Sequence, residues 1–186
     1  MKRRTFVAGG ALLLLGAGVA GKRVLNPAPD LPQLLAELQR LDPSRLRSSG
    51  SWSPFKVFSH LAQSIEYSLH GYPAMKSPLF RQTAGRLAFF AFDTAGAMRH
   101  NLAEPIPGAP PIAAEGDVVA AHARLLQALA AFANWTGPLQ PHFAYGVLDK
   151  SQYLQAHIMH VRNHLQELGS VDVGFSRETN VNRTYT

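Results

Sequence analysis

The chain has 186 residues, 46% hydrophobic and 16% charged, enough for one domain with a proper core. It holds no cysteine, which excludes disulfides, thiol nucleophiles and thiolate-held zinc, so any metal here is held by histidines and carboxylates. The formal charge of +6 is not a nucleic-acid footprint: five of the eighteen basic residues lie before residue 24, and the other thirteen are scattered against twelve acids.

Residues 1–21, MKRRTFVAGGALLLLGAGVAG, have a charged start, an apolar centre and small residues after it, the plan of an export signal. Arg3-Arg4 followed by Thr5-Phe6-Val7 resembles the twin-arginine motif, and Gly18-Val19-Ala20 offers a small-x-small cleavage site. The alternatives are a general secretory signal and an uncleaved anchor. The apolar run is short and rich in Gly and Ala, which makes it marginal as a spanning helix. The expected location is the periplasm or cell envelope, with attachment to the inner membrane if the segment stays uncleaved.

After a linker over 22–29, the helical reading begins. Asp30 is an N-cap with Pro32 early in the helix, and Leu31, Leu34, Leu35, Leu38 and Leu41 form one stripe before Asp42-Pro43 ends it. Ser53-Pro54 opens a second helix carrying Phe58, Leu61, Ala62, Ile65 and Leu69, closed by Gly71 and Pro73. A third helix is expected over about 79–100, bent or interrupted near Gly85 or Gly96, with Phe89, Phe90 and Phe92 in the core. Residues 101–117 are Pro-rich and read as a long crossing, of a length that in compact domains is often functional or wraps a surface. An Ala-rich fourth helix covers 117–135. A second Pro/Gly loop follows, and Ser151 is expected to cap the last helix, with Gly169 beyond its end. The tail over 169–186 is polar and β-leaning, either disordered or a small appended strand, and strand signals are nearly absent before it. The fold class is all-α: a short first helix, four longer ones and a long Pro-rich crossover.

Three of eight histidines fall in SQYLQAHIMHVRNHLQEL, residues 151–168. His160 and His164 are i, i+4, about 40° apart on one helical face, a geometry that lets two imidazoles share an ion. His157 and His160 are i, i+3 and also feasible. His157 and His164 stand roughly 10.5 Å apart along the axis, too far to share one metal. His60, in FSHLAQS, sits near the buried seam of the second helix. Alone it reads as a satisfied core residue; with His160 and His164 it makes a three-imidazole site with open positions, the pattern of a catalytic centre.

The run WSPFKVFSHLAQS over 52–64, together with HVRNHL over 160–165, resembles the DinB/YfiT-like superfamily. HLAQSIEYSLHGYP, EPIPGAP and PHFAYGVL look like a branch of it defined only as a domain of unknown function. The resemblance spans roughly residues 30 to 168. It implies an up-down four-helix bundle and a divalent metal held by His60, His160 and His164. Imidazole ligands suit zinc, nickel, iron or copper. It further implies the chemistry of a metal-dependent transferase or hydrolase, the superfamily being known for thiol transferases and isomerases. The competing expectations are a non-catalytic metal or small-ligand binding bundle and a structural bundle with core histidines. Many members carry a second His directly before the last ligand; here that position is Asn163. His157 is expected behind the ligands or lining the cavity.

No convincing general base stands out. Glu66 lies about 120° around the helix from His60 and reads as solvated or paired. Asp93 is a buried acid or a cap near Gly96. His142 and Tyr145, in PHFAYG, either reach the open end of the bundle or anchor a surface loop. Trp52 is expected to staple the second helix, and His70, His100 and His122 carry no assigned role. Expected partners are a small-molecule substrate or ligand and a second copy of the chain. No nucleic acid is expected, and the membrane enters only through an uncleaved N-terminal signal.

Overall fold

A computed structural model of the protein describes residues 30–170. The export signal, the linker over 22–29 and the tail beyond Ser170 lie outside the described residues. What is described is mostly helical, and no described helix is long and apolar enough to cross a membrane.

Helix α1, Leu31–Gln39, starts as the sequence dictates: the Asp30 side chain accepts from the Gln33 N–H, and Leu34 and Leu38 are fully buried. A 3-10 turn, Pro43–Arg45, capped by Asp42, leads into strand β1, Leu46–Ser48. Helix α2, Pro54–His70, is capped by Ser53, whose hydroxyl accepts from the Lys56 N–H, and it ends on Gly71 at φ 106°. The Ser53 hydroxyl also donates to the Ala114 carbonyl, tying the end of the Pro-rich crossing to the start of α2.

The third helix differs from expectation. It is divided into α3, Pro78–Gln82, and α4, Ala84–Ala95, with one break at Thr83, two residues before Gly85, and an end at Gly96 short of residue 100. The Thr83 hydroxyl turns back onto the Leu79 carbonyl, the local bonding by which Thr competes with the helical ladder. Gly85 is there for space: a Cβ at that position would lie 1.9 Å from the Ala144 carbonyl oxygen. Gly96 ends α4 in the left-handed conformation, φ 66°, with the Ala97 N–H donating to the Phe92 carbonyl. Residues 97–100 therefore leave the helical path. Of the expected Phe cluster, Phe89 is buried, Phe92 is half-buried and Phe90 is exposed.

Helix α5, Val118–Asn134, is capped by Asp117. Helix α6, Lys150–Leu165, begins two residues earlier than Ser151 would place it. Asp149 accepts from the Gln152 N–H, and the Gln152 side chain accepts from the Asp149 N–H, a complete capping box. The Lys150 ammonium is thereby free to donate to the Ala133 and Trp135 carbonyls at the C-terminal end of α5, where its charge is favoured. Strand β2, Leu168–Ser170, pairs antiparallel with β1, Leu46 opposite Ser170. Strand β1 was not legible in the sequence, and β2 is the start of the β-leaning tail.

The core lies between α2, α5 and α6. Helix α2 packs chiefly along α5 and also meets α6, which touches α1 and α4. Phe58, Leu61, Ala62 and Ile65 of α2 meet Leu125, Leu129 and Phe132 of α5 and Tyr153 and Val161 of α6. The loop over 135–149 is fastened to the far end of α2: Gln140 N–H donates to the Ser68 carbonyl and Lys76 N–H to Phe143.

The Gly85 approach gives a direct test. Gly85→Ala is expected to lower stability by at least about 1–3 kcal/mol through overpacking against fixed backbone. Gly169→Ala, where nothing lies within 4 Å, should stay within about 0.5 kcal/mol of the parent. Urea unfolding midpoints of the two variants check this, and equal midpoints would overturn the close-packing account.

Candidate metal centre

The site is built where α2 crosses α6. His60 lies a turn and a half into α2, between apolar neighbours that force its face inward; Phe58, Leu61 and Ala62 beside it are at most 1% exposed. On α6, His160 and His164 stand one turn apart on the face turned to α2, as their spacing requires. The three rings are nearly equidistant: His60 to His160 5.1 Å, His60 to His164 5.1 Å and His160 to His164 4.9 Å between centroids. One ligand nitrogen from each lies within 4.8 Å of the others, so the triad could hold a metal ion. His60 Nε2 and His160 Nε2 are 3.3 Å apart. Two nitrogens bonded to one ion at about 2.1 Å and near the tetrahedral angle are separated by roughly 3.4 Å, so this pair already fits.

His164 is fully buried and neither of its ring nitrogens has a hydrogen-bond partner; His60 Nδ1 is buried and unpartnered as well. Leaving a buried polar atom unpaired costs about 1–3 kcal/mol, and coordination is one way such an atom is satisfied. The wall of the site is aromatic. Trp52 stacks on His164 (centroids 6.1 Å, planes 13° apart) and meets His60 edge-on at 5.0 Å. Its task is therefore to seal the triad rather than only to staple α2. The β-ladder holds it there: Trp52 follows β1 by four residues and His164 precedes β2 by four, so pairing the strands brings ring onto ring.

Burial sets the charge state. Desolvation, helped by the charges of His100 and Lys56, pushes His60 down to about 4. Desolvation, then His60 and His100, takes His164 to about 3. His160 is held well below the usual imidazole value by desolvation first and then by the surrounding histidines. All three are neutral near pH 7, the form a metal requires.

The other histidines separate cleanly. His157 is turned away from the triad: its Nε2 lies 3.1 Å from the Ser68 hydroxyl and its ring stacks on Tyr153 and meets Phe132 edge-on. It is a satisfied core residue and lines no metal position. His142 caps its own loop, its Nδ1 accepting from the N–H groups of Ala144 and Tyr145 while the ring stacks on Tyr145 at 4.2 Å. His122 bonds the Leu38 carbonyl. Glu66 is taken up by a bidentate pair with Arg124, at 2.8 and 2.6 Å. Among the described residues no carboxylate belongs to the triad.

His100 was missed. Its ring centroid lies 5.1 Å from His160 and 5.4 Å from His164, and Asn163 lies 2.9 Å from its Nδ1. Helical periodicity carried to residue 100 hides this; the signal that could have found it is Gly96, a left-handed cap that turns the chain out of the helix.

A family model described as protein of unknown function (DUF1569) matches residues 22–170. No curated protein and no solved structure matches the chain.

The depressed histidines make stability depend on pH. An unfolded imidazole titrates near 6.5, whereas folded His60, His142, His157 and His164 resist protons down to about 3–4. Below about pH 6.5 the unfolded chain binds protons that the fold refuses, so metal-free stability falls with acidification, by up to about 1.4 kcal/mol per pH unit per residue. Above that pH these groups contribute no slope. Urea midpoints of the metal-free protein between about pH 7.5 and about pH 5 should drop steadily; a flat profile would contradict neutral burial.

Proposed function

Because the chain belongs to the DUF1569 family, a family of unknown function, its chemistry is read from its own residues, and we propose that it binds one divalent metal ion through His60, His160 and His164. The convergence of three neutral imidazoles, with both nitrogens of buried His164 unpartnered, carries this reading. A purely structural cluster would bury those atoms for no return, whereas an ion satisfies one nitrogen on each ring. Three protein ligands leave coordination positions open, the arrangement of a catalytic rather than a closed structural site. Zinc, nickel and iron suit an all-imidazole set.

We read the centre as that of a metal-dependent transferase or hydrolase on a DinB/YfiT-type bundle. The ligand spacing and the mostly helical fold support this. A bound divalent ion lowers the pKa of a coordinated water or thiol and makes it a nucleophile near neutral pH. The chain's own contribution is to keep the imidazoles unprotonated, to fix their orientation from two helices and to exclude water behind Trp52. The residues of the triad supply no general base, and Glu66 is committed to Arg124. A proton acceptor from substrate or solvent completes such a reaction. Export by the twin-arginine route, which carries folded proteins, suits a centre loaded before translocation. The second reading, a non-catalytic metal-binding bundle, is favoured by the same missing base.

Elemental analysis of untagged protein from metal-replete cells is the test. One metal per chain is expected, lost in His160→Ala and in His164→Ala and retained in His157→Gln, whose parent side chain faces Ser68 instead. Metal-free wild-type protein with native helicity would sink the proposal. Metal without turnover on thiol-transfer and hydrolysis substrates would leave the binding reading in place of the enzymatic one.

A further inference from the structure

We propose that His100 donates an N–H hydrogen bond to a small anion bound at the open face of the centre, and that Asn163 is the positioning residue that sets its tautomer. This rests on the metal reading above.

His100 is spaced from His160 and His164 almost as the three triad rings are spaced from one another, 5.1 and 5.4 Å against 4.9–5.1 Å. Yet it does not belong to the set whose ligand atoms all lie within 4.8 Å. It stands beside the centre rather than in it. It also arrives differently, on the segment that Gly96 turns out of α4 rather than on a helix, and it stays exposed while His60 and His164 are buried. An imidazole so placed, about 5 Å from two of the three rings, is within reach of a further ligand at the centre.

Its hydrogen-bond direction follows from one contact. The Asn163 side-chain nitrogen lies 2.9 Å from His100 Nδ1. An amide nitrogen only donates, so Nδ1 accepts, and the single hydrogen of the neutral ring sits on Nε2. Asn163 is buried on α6 directly before the ligand His164, so the tautomer is fixed from the same helix that carries two of the ligands. The remaining nitrogen is a donor without a lone pair to offer a metal. A donor beside a divalent ion favours ligands that bring negative charge to the metal on a small atom: hydroxide, a thiolate or the oxygen of an oxyanion. The ligand class is therefore a small anion that accepts a hydrogen bond while bound to the metal.

The full chain loaded with Co(II) and titrated with azide, followed by visible absorption, tests this. His100→Ala should weaken azide binding about tenfold while leaving cobalt affinity unchanged. His100→Gln, which keeps a side-chain N–H, should recover part of the loss. Asn163→Asp keeps the shape but accepts from Nδ1–H, strips Nε2 of its hydrogen and should weaken azide as His100→Ala does. Azide affinity unmoved by His100→Ala overturns the proposal while the metal reading stands. A fall in cobalt affinity in His100→Ala also overturns it, because His100 is then a ligand. A wild-type chain that takes up no cobalt overturns the metal reading and this proposal with it.

Discussion

Everything in this structure turns on keeping imidazoles uncharged inside an apolar interior. His60, His157 and His164 are all buried between helices, and desolvation holds each of them in the neutral form. A protonated His60 or His164 would face other histidines, and among the described residues no carboxylate belongs to the triad to balance it. The fold answers this in two ways. His157, His142 and His122 are given hydrogen-bond partners and become ordinary polar core residues. His164 is denied them on both ring nitrogens and His60 on Nδ1, and that difference sets the triad apart from the rest.

Much of the site was legible because it depends on short-range periodicity. The i, i+4 spacing of His160 and His164 fixes their common face wherever α6 packs, and the apolar neighbours of His60 fix its face on α2. The caps at Asp30 and Ser53 were likewise written in adjacent residues. What was not legible depends on long-range contact. Strand β1 is three residues long and exists because β2 lies opposite it. Gly85 looks like a helix breaker until the Ala144 carbonyl is placed against it. At the start of α6 the sequence pointed to Ser151; the Gln152 box and the Lys150 contacts to α5 place the cap at Asp149 instead. His157 shows the limit of spacing itself. At i−3 from His160 it could have shared an ion, but Ser68, Tyr153 and Phe132 claim it.

Position 163 joins the last helix to a distant part of the chain. The amide of Asn163, directly before His164, engages a histidine brought from the segment after α4. The imidazole beside the triad thus comes from the segment after α4 rather than from α6 itself, and it is tied to α6 by a side-chain contact instead of by the helix backbone.

The short β-ladder also bears on when the centre comes into being. Its register joins Leu46 to Ser170, and the triad joins residue 60 to residues 160 and 164. Contacts of such sequence separation carry the largest loop-closure entropy and form late in folding. A chain still on the ribosome has His60 and α2 long before it has α6, and it cannot assemble even a partial triad until the last described helix has emerged. Closure of Trp52 over His164 waits longer still, for the strand beyond that helix. The order of synthesis thereby leaves the chain without a three-imidazole cluster until the last described helix is in place.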